Sequence, residues 1–183
     1  DFDALIPALK SDSADIVIAG MNITPERAKQ VDFSDSYYKT GVVLLVKKNS
    51  TKITGWDSFT SGSGLKVAAQ TGTLQADIAN KLKDEGKVSS VSVLNQNTTA
   101  LQQLENGDVD AVLVDKPVAV DISASQGGKF KMVGDIKPDS ITDNGIAVKK
   151  GNKELLKKIN AGLKHVKENG TYDKLAKKWK IEQ

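Results

Sequence analysis

Residues 66–133, KVAAQTGTLQADIANKLKDEGKVSSVSVLNQNTTALQQLENGDVDAVLVDKPVAVDISASQGGKFKMV, decide the fold class. Short apolar runs at 66–69, 88–94, 110–114 and 131–133 have the length and β-branched content of strands. Helical spacing fills 73–85, 98–106 and 117–126, and Gly86, Gly107 and Gly127 stand where those helices would end. Strands that alternate with helices predict an α/β fold with a parallel sheet.

The same reading extends outward in both directions. The longest apolar run, 41–46, predicts a buried strand and falls far short of the roughly 18 residues that cross a membrane. Upstream, Phe2, Leu5, Ile6 and Leu9 have helical spacing, and Ile16-Val17-Ile18-Ala19-Gly20 predicts a second buried strand. Thr24-Pro25-Glu26-Arg27 follows as a helix start, with threonine at the cap, proline at the first position and an acid in the first turn. Strand, loop and helix start together point backbone N–H groups at an anion. Downstream, 145–148 predicts a strand, 153–169 a long helix stopped by Gly170, and 172–179 a last helix. Ser61-Gly62-Ser63-Gly64 predicts a flexible loop. A chain that opens on a helix, with a single strand before the crossing at Gly41, is expected to start in the middle of a fold.

Composition removes whole classes of function. There is no cysteine, so thiolate metal sites and cysteine nucleophiles are excluded, and one histidine, His165, rules out a multi-histidine zinc site. His165 lies off the Leu155, Ile159, Leu163, Val166 stripe, as a solvated helical residue does. A net charge of +3 with only 5% aromatic residues does not make a nucleic-acid surface, which combines a basic stripe with stacking rings. Gln70-Thr71-Gly72-Thr73 lacks the Gly-Lys-Ser/Thr of a phosphate loop. Arg27 is the chain's one arginine, and every other strongly basic side chain is lysine. Arginine offers a planar fork that binds a carboxylate through two parallel hydrogen bonds, which lysine cannot do.

Several stretches in order carry a resemblance: Phe2-Asp3-Ala4-Leu5-Ile6-Pro7-Ala8-Leu9, then Gly20-Met21-Asn22-Ile23-Thr24-Pro25-Glu26-Arg27, then Val31-Asp32-Phe33-Ser34-Asp35-Ser36-Tyr37-Tyr38. Gln70-Thr71-Gly72-Thr73, Val114-Asp115-Lys116-Pro117, and Lys167-Glu168-Asn169-Gly170-Thr171-Tyr172 with Trp179 continue it. The set resembles the polar-amino-acid-binding proteins of ABC importers, solute-binding protein family 3, over essentially the whole chain. The resemblance implies a periplasmic-binding-protein type II fold, two α/β lobes joined by two hinge strands, with ligand in the cleft. Lobe 1 would be residues 1–41 and 142–183, lacking its N-terminal strands and helix, and lobe 2 residues 42–141. It further implies that Arg27 clamps the ligand α-carboxylate, with Gly20 and Asn22 assisting. Asn22 stands where many members have Ser or Thr. Thr73 and the N–H of Leu74 match carboxylate contacts, Asp115 matches the receiver of the α-ammonium, and Gln70 matches a position facing the ligand side chain.

The implied function is capture of a free polar amino acid, in the periplasm or lipid-anchored at the cell surface, for delivery to a membrane permease. No cofactor, metal, catalytic residue or nucleic-acid partner is expected. Two other functions share the fold, a cyclohexadienyl dehydratase type of enzyme and a ligand-sensing domain. A dehydratase needs a general acid over its substrate ring, and no spare carboxylate or histidine is assignable to that role. Asp115 also has a purely structural reading, as the cap of the helix that begins Lys116-Pro117. In the incomplete lobe, Phe2, Leu5, Ile16 and Ile18 are expected to face water, while lobe 2 should be complete.

Overall fold

The computed structural model describes residues 1–61, 64–179 and 181; Gly62 and Ser63 of the expected 61–64 loop lie outside the described residues. Its contacts divide the chain into two bodies, one of Asp1–Asp3 with Thr40–Ile141 and one of Ala4–Lys39 with Thr142–Gln183. The expected first helix is a 3-10 turn at Phe2–Ala4 running into α1 (Leu5–Lys10). Strand β1 is Ile16–Val17 and ends sooner than the apolar run does, because Gly20 turns the chain at φ 62°. Helix α2 (Pro25–Ala28) starts as its sequence dictates: Thr24 is extended and its Oγ1 accepts the Arg27 N–H at 3.3 Å. Strands β2 (Val31–Phe33) and β3 (Tyr38–Thr40) follow.

The larger body is β4 (Val42–Lys47), α3 (Trp56–Ser61), β5 (Lys66–Gln70), α4 (Leu74–Asp84), β6 (Ser90–Leu94), α5 (Asn97–Asn106), β7 (Ala111–Asp115), α6 (Lys116–Ser125) and β8 (Phe130–Val133). Its five strands lie in the order β6-β5-β7-β4-β8. Strand β5 runs parallel to β6 and β7, as the alternating pattern predicts, but β4 is antiparallel to both β7 and β8. The sheet is therefore mixed rather than parallel. No crossover helix joins β4 to a neighbour, so nothing forces it parallel, and the β7–α6–β8 crossover passes over it. Alternate β4 side chains enter two separate cores. Val42, Leu44 and Val46 pack with Phe59, Val67 and Leu113, whereas Val43 and Leu45 pack with Ala68, Leu104 and Val112. Burial on both faces explains why 41–46 reads as a continuous apolar run instead of an alternating one. Helix α3 leaves little periodicity in the sequence because it is under two turns long; the Ser58 hydroxyl, accepting the Thr54 and Gly55 N–H groups, holds its start.

The chain returns to the smaller body through β9 (Thr142–Asn144), which pairs with β3, then β10 (Ala147–Lys149), α7 (Lys153–Glu168) and α8 (Thr171–Trp179). Strand β10 lies between β1 and β2 and is antiparallel to both, with Ile16 opposite Val148 and Val148 opposite Asp32. Strand β1 is thus an antiparallel edge strand, not the parallel-type strand its β-branched run predicted. Leu9, Val17, Met21, Val31, Ala147 and Val148 form the buried apolar centre. Ile16 and Ile18 are 41% and 60% exposed, as expected, while Phe2 and Leu5 are half-buried rather than open to water. The α7 stripe of Leu155, Ile159, Leu163 and Val166 is half-buried along its length, and His165 is exposed.

Asp32 fastens β2 to the turn after β10: its carboxylate accepts Lys150 Nζ at 2.7 Å and the Gly151 N–H at 2.8 Å. These bonds, the lysine's first, hold its carboxyl below the ordinary carboxylate range. A depressed folded-state value means the stabilisation is present above that ordinary range and is lost as pH falls through the folded value. Asp32→Asn should cost about 1 kcal/mol at neutral pH. Thermal denaturation should show that difference at pH 7 and its disappearance near the acid limit, where wild type and variant converge.

Candidate functional site

In the smaller body the loop from Gly20 to Arg27 is held by residues far away in the chain. Asn22 is 2% exposed; its Nδ2 donates to Asn144 Oδ1 at 3.0 Å, and the two residues form an isolated antiparallel bridge. Bonds on either side, Ile23 N–H to Asp143 O at 2.8 Å and Gly145 N–H to Met21 O at 3.1 Å, make the attachment continuous. The Gly20 N–H donates to Tyr37 Oη at 3.1 Å. Tyr37 is itself gripped from two sides, by its N–H on Asn144 O at 3.0 Å and by Tyr172 Oη donating to its carbonyl at 2.6 Å. Burial pushes the Tyr172 phenol up from its ordinary value, so it stays a neutral donor.

Arg27 sits on this platform. It is half-buried on the four-residue helix α2, and its Nη1 donates to Asn22 O at 2.8 Å. Of the three residues expected here, the guanidinium is positioned as a donor. The Gly20 N–H is bonded to Tyr37, and an N–H of the Asn22 side-chain amide to Asn144.

In the larger body the remaining residues gather at one edge of the sheet. Gln70 is the last residue of β5 and Asp115 the last of β7, and these strands are parallel neighbours. Their register pairs Ala68 with Val112, so the ends of both strands fall side by side. Helices α4 and α6 start at this same edge, and first-turn N–H groups have no acceptor within their own helix. The carboxyl end of parallel strands, with helix N-termini beside it, is where α/β sheets bind ligands.

Two residues here cap helices by position, yet they behave differently. Thr73 is buried; its hydroxyl donates to Gln70 O at 2.6 Å and accepts the Ala76 N–H at 3.2 Å. The single hydroxyl proton is therefore committed to the loop. Asp115 occupies the cap position of α6 without any side-chain capping bond. Gln70 is fixed by Nε2 donating to Asn95 O at 2.9 Å and by Oε1 accepting Asn97 Nδ2 at 3.4 Å. Gly72, at φ 74°, lies so close to Asp3 that a β-carbon would sit 2.8 Å from the Asp3 Cβ. Only glycine satisfies both demands.

Asn95, Asn97 and Asn144 have no role in the sequence reading, where Tyr37 and Tyr172 enter only through the motifs of the resemblance. No local signal marks an asparagine that will bond across the fold. The larger body also carries a groove of about 500 Å³ between α3 and α4, floored by Trp56, Leu74, Ile78 and Leu82. Among its rim charges Lys87 and Lys81 pair with Glu85 and Lys137 pairs with Asp139, while Asp77 also lines it.

Comparison with known proteins gives a consistent result. The family described as bacterial extracellular solute-binding proteins, family 3, matches residues 1–182. The chain is 37% identical over 174 residues to the ABC transporter glutamine-binding protein GlnH of Bacillus subtilis, covering 95% of this chain and 60% of that one. It is 34% identical to the ABC transporter arginine-binding protein 1 of Escherichia coli, covering 97% of this chain and 71% of the relative. Among solved structures, an ancestral arginine-binding protein bound to arginine is 42% identical with a TM-score of 0.86, covering 98% of this chain and 77% of its own. The ancestral amino acid-binding protein AncCDT-1, a precursor of cyclohexadienyl dehydratase, is 38% identical with a TM-score of 0.85, covering 97% and 74%. The chain thus spans three-fifths to about three-quarters of the length of these proteins.

The contrast between the two caps is measurable. Thr73→Ala removes a capping acceptor and the bond to Gln70, and should destabilise the ligand-free protein by about 1–2 kcal/mol. Chemical denaturation checks this, and a loss below about 0.3 kcal/mol would mean that the hydroxyl does not hold the loop.

Proposed function

Because the chain belongs to the bacterial extracellular solute-binding proteins of family 3, we propose that the protein captures a free polar amino acid outside the cell for an ABC importer. Arg27 takes the α-carboxylate through its guanidinium fork, the Leu74 N–H adds a second donor, and Asp115 receives the α-ammonium. Gln70, held by Asn95 and Asn97, faces the ligand side chain. Gly20, Asn22 and Thr73 keep these groups in place.

One observation carries the reading. The chain's sole guanidinium is half-buried and oriented by a backbone carbonyl, and a carboxylate ends β7 without serving as a helix cap. Taking a zwitterion out of water is costly unless each of its charges meets an opposite charge and hydrogen bonds. In this reading Arg27 and Asp115 supply those opposite charges. The glutamine- and arginine-binding relatives support the polar class of ligand, and a further ancestral structure is described as bound to glutamine.

The partner in this reading is the membrane permease of the importer, and the location is the periplasm or the outer surface, with a lipid anchor. Among the described residues no helix is long and apolar enough to cross a membrane. The protein binds without transforming its ligand: the relatives are named as binding proteins, and the dehydratase precursor is itself described as an amino acid-binding protein. That precursor also motivates the second reading, an enzyme of dehydratase type. Turnover of a prephenate-like acid, measured beside amino-acid titration, decides between them, and turnover without amino-acid binding would overturn the first.

Arg27→Lys replaces a fork by a point charge and loses one charge-assisted hydrogen bond of about 1.5–3 kcal/mol, so the dissociation constant should rise about 10- to 150-fold. Calorimetry with the best-binding amino acid tests it, and a change below about threefold removes the assignment. Asp115→Asn should weaken binding while leaving the ligand-free melting temperature in place, because the side chain makes no capping bond for the substitution to remove and asparagine suits a cap position as well as aspartate does. A collapsed melting temperature without ligand would make Asp115 a structural residue.

A further inference from the structure

We propose that Asn144 is a positioning residue for the Arg27 guanidinium, acting through Asn22; the proposal rests on Arg27 binding a ligand carboxylate. Helix α2 is four residues long, too short to fix a long side chain by itself. The Thr24 cap holds the Arg27 backbone, not its guanidinium. One bond that directs the guanidinium runs from Nη1 to Asn22 O, 2.8 Å away.

Asn22 in turn owes its place to Asn144. The amide–amide bond between them is 3.0 Å long, and the residues are 2% and 4% exposed. A buried polar bond of this kind resists breaking, since either partner left alone keeps its full desolvation cost. Asn144 Oδ1 is the acceptor, and the backbone bonds flanking it lock the 21–23 segment at the same level. The packing next door fixes the geometry further. A β-carbon at Gly145 would lie 2.9 Å from Ile23 Cδ1 and 3.1 Å from Phe33 Cδ1, so β9 approaches the loop as closely as a glycine allows. Asn144 also ends β9, the strand that pairs with β3, and its carbonyl accepts the Tyr37 N–H just before β3 begins. Both strands that connect the two bodies therefore meet at the residue that sets the carboxylate clamp. A shift of β9 against β3 moves Asn22 O and, with it, the fork.

Asn144→Ala and Asn144→Asp test this, the second keeping the Oδ1 acceptor for Asn22 Nδ2. Calorimetry on the full-length protein compares the best-binding amino acid with its α-carboxamide, which lacks the charged carboxylate that Arg27 reads. Asn144→Ala should weaken the acid about tenfold or more and the amide less than about threefold, since a displaced fork costs only the ligand that uses it. Asn144→Asp should restore the acid to within about threefold of wild type. Equal losses for acid and amide would make Asn144 a general structural residue and overturn the proposal, as would an alanine variant that binds the acid like wild type. If the alanine variant does not fold, Asn144→Ser, too short to reach Asn22 Nδ2, replaces it under the same expectations. Arg27→Lys measured alongside separates the two failures. A large loss there with none for Asn144→Ala overturns the positioning role alone, whereas no loss in either removes the clamp reading and this proposal together.

Discussion

Strand β10 pairs on one side with β1 and on the other with β2, and those two strands do not touch each other. Among the described residues, 147–149 join β1 and β2 into one sheet. Everything on the Arg27 side follows from that insertion. It brings Asn144 and Gly145 against the 20–23 loop, places Ser34 Oγ where it accepts the Ile146 N–H at 2.9 Å, and sets Lys150 beside Asp32. A binding group built this way is rigid only when both chain segments are folded. Its order is a property of tertiary pairing and not of α2, which is too short to be stable alone.

The larger body follows a different logic. Its sheet is wound from consecutive strand–helix units, so the ends of β5 and β7 and the starts of α4 and α6 fall at one edge by topology alone. The polar residues there differ in how they are held. Thr73 commits its proton and one lone pair to the backbone, and Gln70 is braced by the turn after β6. Asp115 ends a strand of four buried apolar residues and makes no capping bond. Helix α6 begins with the Lys116 N–H bonded to Gly41 O at 3.1 Å.

Recognition of a zwitterion requires opposite charges held at fixed places and shielded from water, a demand that weighs against flexible lysines. The chain contains 26 strongly basic residues and only one that can act as a fork, and that one is braced by a carbonyl. Most lysines whose partners are visible reach surface carboxylates, as Lys158 does with Glu154 and Lys129 with Glu105, where an ion pair contributes little.

The α/β class, the Thr24 cap and the glycine stops at Gly107 and Gly170 were all legible in the sequence. Each depends on residues within about a turn of one another, where side-chain type and backbone conformation are directly coupled. Strand direction was not legible: the alternating pattern suggests a parallel sheet, yet β4, which lacks a crossover helix, and β1, an edge strand of a sheet closed by the far end of the chain, are antiparallel. Nor could the sequence tell which cap-position residue would cap, because Thr73 and Asp115 are equally suited to the role and only their surroundings differ. The Asn22–Asn144 bond spans 122 residues and has no local signature. The sequence determined the elements and the residues fit for recognition, since those are set by short-range sterics and side-chain chemistry. The tertiary structure decided pairing, direction and which polar groups are already engaged, since those depend on what the rest of the chain brings alongside.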